Sequence, residues 1–187
     1  MHANDRVDEI VGQWTRVRPD LDHSPIAVIG RVSRLSRLID RRLADNFARF
    51  GIENWMYDVL ATLRRQGDPF VMTAGDLVAS TMVTSGAMTN RIDRLEQRGW
   101  VARDSAPDRR QVLVRLTETG RTLVDEVVAE HLGVEEQILG GMSPRHREAL
   151  VTALRALLVD LGDIAPRSDD AAGGAGEALS SARRRRR

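Results

Sequence analysis

The sequence predicts a mainly α protein carrying one small β-hairpin, and three observations support that prediction. Apolar residues recur at spacings of three and four along most of residues 7–161, the pattern of helices with one buried side. The period changes to two only at Trp100–Asp104 and Gln111–Leu116, either side of the turn-forming stretch SAPDRR. Pro, Gly, Ser and Thr fall where those helices would begin and end.

Val7, Ile10, Val11, Trp14 and Val17 mark a short amphipathic helix that stops before Pro19. After the turn DLDHSP, Ser24 is expected to cap a helix with Pro25 at its first position, whose apolar stripe runs from Ile26 to Phe50 and ends at Gly51. Such a helix is roughly 39 Å long, more than a domain of this size needs internally, so part of its stripe is expected to pack on a second copy. A further helix spans 53–66, with Trp55, Met56, Val59, Leu60 and Leu63 on one side and Gly67 as its stop; QGDPF then reads as a turn. Thr73 with Asp76 resembles a capping box opening a short helix at 74–80, and Thr84 or Ser85 caps another that runs to Arg98 and ends at Gly99. Two short helices so joined read as a helix-turn-helix, and a hairpin directly after it reads as a wing. Thr117 caps a long helix to about Leu139, and Ser143-Pro144 opens the last, carrying Leu150, Leu154, Leu157, Leu158 and Leu161 and closed by Gly162. The expected organisation is an N-terminal helix and linker at 1–22, a winged helix-turn-helix domain with long flanking helices at 23–164, and a disordered Arg-rich tail at 165–187.

Composition narrows the function classes. The length of 187 residues suits one domain or two small ones. All 28 basic residues are arginine, against 27 acids, and residues 1–164 hold 22 Arg and 24 acids, which excludes a globally basic nucleoid protein but permits a local basic patch. No apolar run approaches the roughly 20 residues that cross a bilayer and the N-terminus lacks a signal-peptide core, so a cytoplasmic protein is expected. Without cysteine there is no disulfide, thiolate nucleophile or thiol redox sensor. His2, His23, His131 and His146 are scattered, with no HExxH and no GxSxG elsewhere, so neither an enzyme nor a metal site is expected.

The helix from Ser85 carries the chemistry of recognition. At about 100° per residue, Met88, Ile92 and Leu95 share its buried side, while Gly86, Asn90 and Asp93 lie opposite, flanked by Thr89 and Arg94. Ser85, Gly86, Thr89, Asn90 and Arg94 therefore suit a helix in a major groove, where short polar side chains and an arginine reach base edges and phosphates; the alternative is an ordinary polar helix face. Seven arginines and four acids fall within 85–116, a local excess on the reading helix and wing. At the hairpin tip Asp108 can hold Arg110, with Arg109 beside it, and aim an arginine at a narrow minor groove; a solvated charged turn is the alternative. Arg91 lies only about 60° from the centre of the buried side and should point inward, towards an anion or a structural salt bridge. Trp14 is either an apolar staple at a subunit interface or a flat stacking surface for a planar ligand.

The order of helices, helix-turn-helix, DRR wing and two long C-terminal helices over about residues 24–162 resembles the MarR family of dimeric winged-helix repressors, most specifically in NRIDRLEQRGWVARDSAPDRRQVLVRLTETG. WTRVRPDLDHSP, VIGRVSRLSRLIDRRL, YDVLATLRR and TNRIDRLEQRGW are similar to the urate-responsive PecS-type branch of that family. The resemblance implies a homodimer on a palindromic double-stranded operator, with an effector site at Trp14, Asp58, Arg91 and Arg103. Urate, a planar purine monoanion, would stack on Trp14, offer oxygens to Arg91 and Arg103 and donate ring N–H groups to Asp58; no other cofactor and no membrane partner is implied. Two alternatives stay open: a regulator of the same family answering to another phenolic or aromatic acid, and an architectural protein binding DNA without sequence preference.

Overall fold

The computed structural model describes residues 4–81, 83–105 and 111–164. The chain divides into two compact units, Met1–Ile138 and Leu139–Arg187. The first contains α1 (Arg6–Val17), α2 (Ser24–Arg49), α3 (Asn54–Arg64), β1 (Val71–Thr73), α4 (Ala74–Thr81), α5 (Ser85–Gln97), β2 (Val101–Ser105), β3 (Val112–Leu116) and all but the last residue of α6 (Glu118–Leu139). The second contains α7 (Pro144–Asp160). The wing tip (106–110, including Asp108, Arg109 and Arg110) and the tail expected at 165–187 lie outside the described residues. None of the described helices is long and apolar enough to cross a membrane.

The N-terminal helix is tied to α2 by charge and one apolar contact. Asp5 accepts from the backbone N–H of Val7 and Asp8, and Asp8 accepts from that of Asp5, a reciprocal cap. Arg31 of α2 reaches both carboxylates, at 2.8 Å to Asp5 and 2.6 Å to Asp8, while Val7 is buried over Gly30. At the start of α2 the cap differs from expectation. Ser24 is already helical, and Asp22 accepts from both its N–H (2.9 Å) and its hydroxyl (2.8 Å), because a carboxylate two residues earlier closes an Asx turn more strongly than the serine could.

The core gathers around α3. Met56, Val59, Leu60 and Leu63 meet Leu77 of α4, Met88, Ile92 and Leu95 of α5, Val101, Val114 and Leu116 of the sheet and Val124 and Val127 of α6, all buried. The expected buried side of α5 is thus observed residue for residue. The sheet holds one strand more than the hairpin: its order is β1-β3-β2, all antiparallel, with Val71 opposite Arg115 and Val101 opposite Leu116. Three residues are too few to show alternation, and β1 forms because the outer edge of β3 offers its backbone groups. Thr73 still accepts the N–H of Asp76, as a cap should, but its own hydroxyl donates to that carboxylate at 2.7 Å.

Two glycines set the junction between α5, the wing and α6. Gly99, at φ +71, ends α5 and lets the N–H of Trp100 return to the Leu95 carbonyl at 3.0 Å. Thr117 accepts the N–H of Gly120 as the expected cap of α6 and donates its hydroxyl to the Gly99 carbonyl at 2.7 Å. Gly120 then passes so close to Trp100 that a Cβ would stand 2.0 Å from its carbonyl oxygen.

Large apolar residues are left open on both units. On α2 these include Val28, Ile29, Leu35 and Leu38; on α7, which buries no residue, they include Val151, Leu154, Leu158 and Val159.

Candidate DNA interface and effector site

The residues expected to read DNA are displayed on one side of α5. Thr84 caps the helix by accepting the N–H of Ala87 at 3.3 Å, and burial of Met88, Ile92 and Leu95 turns Ser85, Gly86, Thr89 and Asn90 outward, all exposed. Nothing lies within 4 Å of where a Gly86 side chain would begin, so the helix presents a low profile there. Arg94 is held differently: it donates to Glu53 at 2.6 Å and lies 4.7 Å from the Trp55 ring centre. Trp55 also donates its indole N–H to Glu53 at 2.8 Å. Asp93, placed by angle among the outward residues, instead accepts from Arg103.

Arg103 of β2 bridges the wing base to the reading helix. Its guanidinium pairs with both Asp93 and Glu96, and its backbone N–H donates to Glu96 at 3.1 Å. Arg103 thereby enters its strand with two carboxylates already facing it. Arg91 lies half-buried on the inner flank of α5, 5.5 Å from the Trp55 ring centre. Arg91 and Arg94 thus share one indole.

Asp58 of α3 stands in the field of Arg91. Although it keeps solvent access, burial by its surroundings raises its carboxyl above the usual value, and Arg91, Arg65 and His131 offset that only in part. It lines a groove of about 320 Å³ between α3 and the end of α4, together with Tyr57, Thr62, Arg65, Ser80 and Thr81. Trp14, 47% exposed as a residue, stacks its ring on His23 at 6.4 Å between centres and 20° between planes. Of the four residues implied by resemblance, the structure therefore places Asp58 and Arg91 in one field, engages Arg103 with α5, and gives Trp14 a histidine partner. No group of His, Asp or Glu among the described residues is arranged to hold a metal ion.

Three features were not read from the sequence: the Glu53–Trp55–Arg94 unit, the Asp93–Arg103–Glu96 unit, and the groove with Thr62 and Arg65. The first had a weak signal, a tryptophan two residues after a glutamate at a helix start, with apolar spacing accounting for it equally well.

A helix-turn-helix with an exposed polar reading face, followed by a β-wing locked to it by Arg103, defines a winged-helix DNA-binding regulator. The MarR family matches residues 50–111, the segment from the end of α2 to the wing. The chain is 43% identical over 153 residues to the HTH-type transcriptional regulator PecS of Dickeya dadantii (strain 3937), covering 81% of this chain and 90% of that one. Among solved structures, BpsR of Bordetella bronchiseptica, described with its regulation of DNA binding by 6-hydroxynicotinic acid, is 30% identical, with a TM-score of 0.62 over 70% of this chain and 91% of that one. Sco3205, a MarR family regulator from Streptomyces coelicolor in complex with DNA, is 21% identical, with a TM-score of 0.67 over 73% and 87%. The chain belongs to the MarR family, in the branch of PecS, and is a DNA-binding transcriptional regulator.

Proposed function

We propose that the protein is a homodimeric repressor released from a palindromic operator by a small anionic aromatic ligand, urate being the effector its residues fit best. The observation that carries this reading is the position of Arg91, on the base-reading helix yet in the field of Asp58 and against Trp55. A ligand seated at Asp58 draws on Arg91, and because Arg94 shares the Trp55 ring, that pull reaches a side chain on the DNA side. Urate would donate ring N–H groups to Asp58 and offer oxygens to Arg91. Arg103 would join by exchanging a carboxylate of α5 for the anion, and Trp14 would stack through its open ring area. The 43% identity to PecS supports the branch, and the urate reading rests on the resemblance to that branch at Trp14, Asp58, Arg91 and Arg103.

BpsR supports a second reading, an aromatic acid such as 6-hydroxynicotinate in place of urate. The test is a titration of the protein on the DNA upstream of its own gene with urate, 6-hydroxynicotinate and salicylate. Release by urate well below the concentrations of the other two supports urate; failure at millimolar urate overturns it while leaving the regulator standing.

Dimerisation is proposed from the open apolar residues of α2 and α7, which exceed the isolated apolar residues of an ordinary monomer surface. Sedimentation should show a dimer at micromolar concentration, and a monomer there would contradict the reading. Arg94→Ala and Arg110→Ala should each weaken operator binding and reduce the dependence of log affinity on log salt by about one. The check is fluorescence anisotropy at several salt concentrations. Unchanged slopes for both variants would remove α5 and the wing from the interface.

A further inference from the structure

We propose that Arg65 and the hydroxyl of Thr62 belong to the effector site, and that Arg65 is the first cation an anion meets in the groove beside Asp58. This rests on the urate reading and assigns residues that the resemblance does not. The groove is large enough for a purine-sized molecule, whose binding clefts are commonly about 300 Å³ or more. Its two charged walls differ in sign: Asp58 supplies an acceptor, and Arg65, at the end of α3, supplies a donor fork about two helical turns further on, within its electrostatic reach.

Availability decides between the cations. Arg103 already satisfies two carboxylates, so binding an anion there requires breaking an existing charge-assisted bond. Arg65 is exposed and makes no hydrogen bond or ion pair among the described residues. Thr62 lines the same groove, one helical turn from Asp58 and one turn short of Arg65. Its hydroxyl both donates and accepts, so it suits a ligand carbonyl or N–H at that wall. Acceptor, hydroxyl and cation on one side of α3 match a planar anion with adjacent N–H and C=O groups, the pattern of a purine trione.

The test is equilibrium dialysis of the full chain against urate without DNA, with hypoxanthine as the neutral planar control. Arg65→Gln should weaken urate binding at least about tenfold, with a much smaller effect on hypoxanthine, while Arg65→Lys keeps part of the affinity. Thr62→Val, close in shape, should weaken urate several-fold without lowering the melting temperature, which provides a second readout should Arg65→Gln fold poorly. Urate binding to the unmodified chain with unchanged binding to Arg65→Gln overturns this inference alone. An equal loss of urate and hypoxanthine also overturns it, because the arginine then serves the groove's shape and not the charge. No urate binding by the unmodified chain overturns the urate reading and this inference together.

Discussion

Gly120→Ala should lower the melting temperature by several degrees and weaken operator binding with it. In an open helix position this substitution stabilises by up to about 1 kcal/mol, because alanine loses less backbone entropy than glycine on folding. At Gly120 the new Cβ would meet a backbone carbonyl, that of Trp100, at 2.0 Å, and no side-chain rotation can relieve it. The start of α6 must then move away from the α5–β2 junction, breaking the Thr117 contacts to Gly99 and Trp100. Overpacking of this kind costs about 1–3 kcal/mol or more, which outweighs the helix-propensity gain. Gly133→Ala in the same helix is the internal comparison: nothing stands within 4 Å of its Cβ, so the melting temperature should hold or rise. Parallel thermal melts check both, and a Gly120→Ala protein as stable as the parent would contradict the close approach.

Asp58→Asn should raise stability near neutral pH and abolish most of the urate response. The carboxyl of Asp58 is raised in the folded protein because burial disfavours its charged form. A raised acid binds its proton more tightly folded than unfolded, so its charge costs nothing below the unfolded value of about 3.9 and costs progressively more as pH climbs through the folded value. The melting temperatures of parent and variant should therefore converge in acid and separate in favour of the variant as pH rises. The same carboxylate is the proposed acceptor of the urate ring N–H groups, so the parent's urate response should fall as the pH drops into the range where Asp58 takes its proton. A variant that still releases DNA at the parent's urate concentration would remove Asp58 from the effector site. Stabilisation and loss of response in one substitution would mark a group held against its own preference for solvent, as binding sites often hold them.

What the sequence determined by itself was local. The period of 3.6 residues placed every long helix and selected Met88, Ile92 and Leu95 as the seat of α5, since those positions depend only on helical geometry and burial. The caps at Thr84, Thr117 and Ser143 follow from chemistry within three residues, and all three are observed. Ser24 failed as a cap for an equally local reason, a better acceptor two residues earlier. Pairing across distance depended on the assembled core. β1 exists because β3 has an edge to offer, and Gly120 is required because the Trp100 carbonyl passes beneath it. Arg103 faces two acids of α5, and Arg94 faces Glu53 across 41 positions of chain. An arginine's spacing reveals which side of a helix it leaves from. Which carboxylate, ring or ligand it meets depends on elements brought together by the core, and on that meeting rests whether it reads DNA, senses an anion or braces a wing.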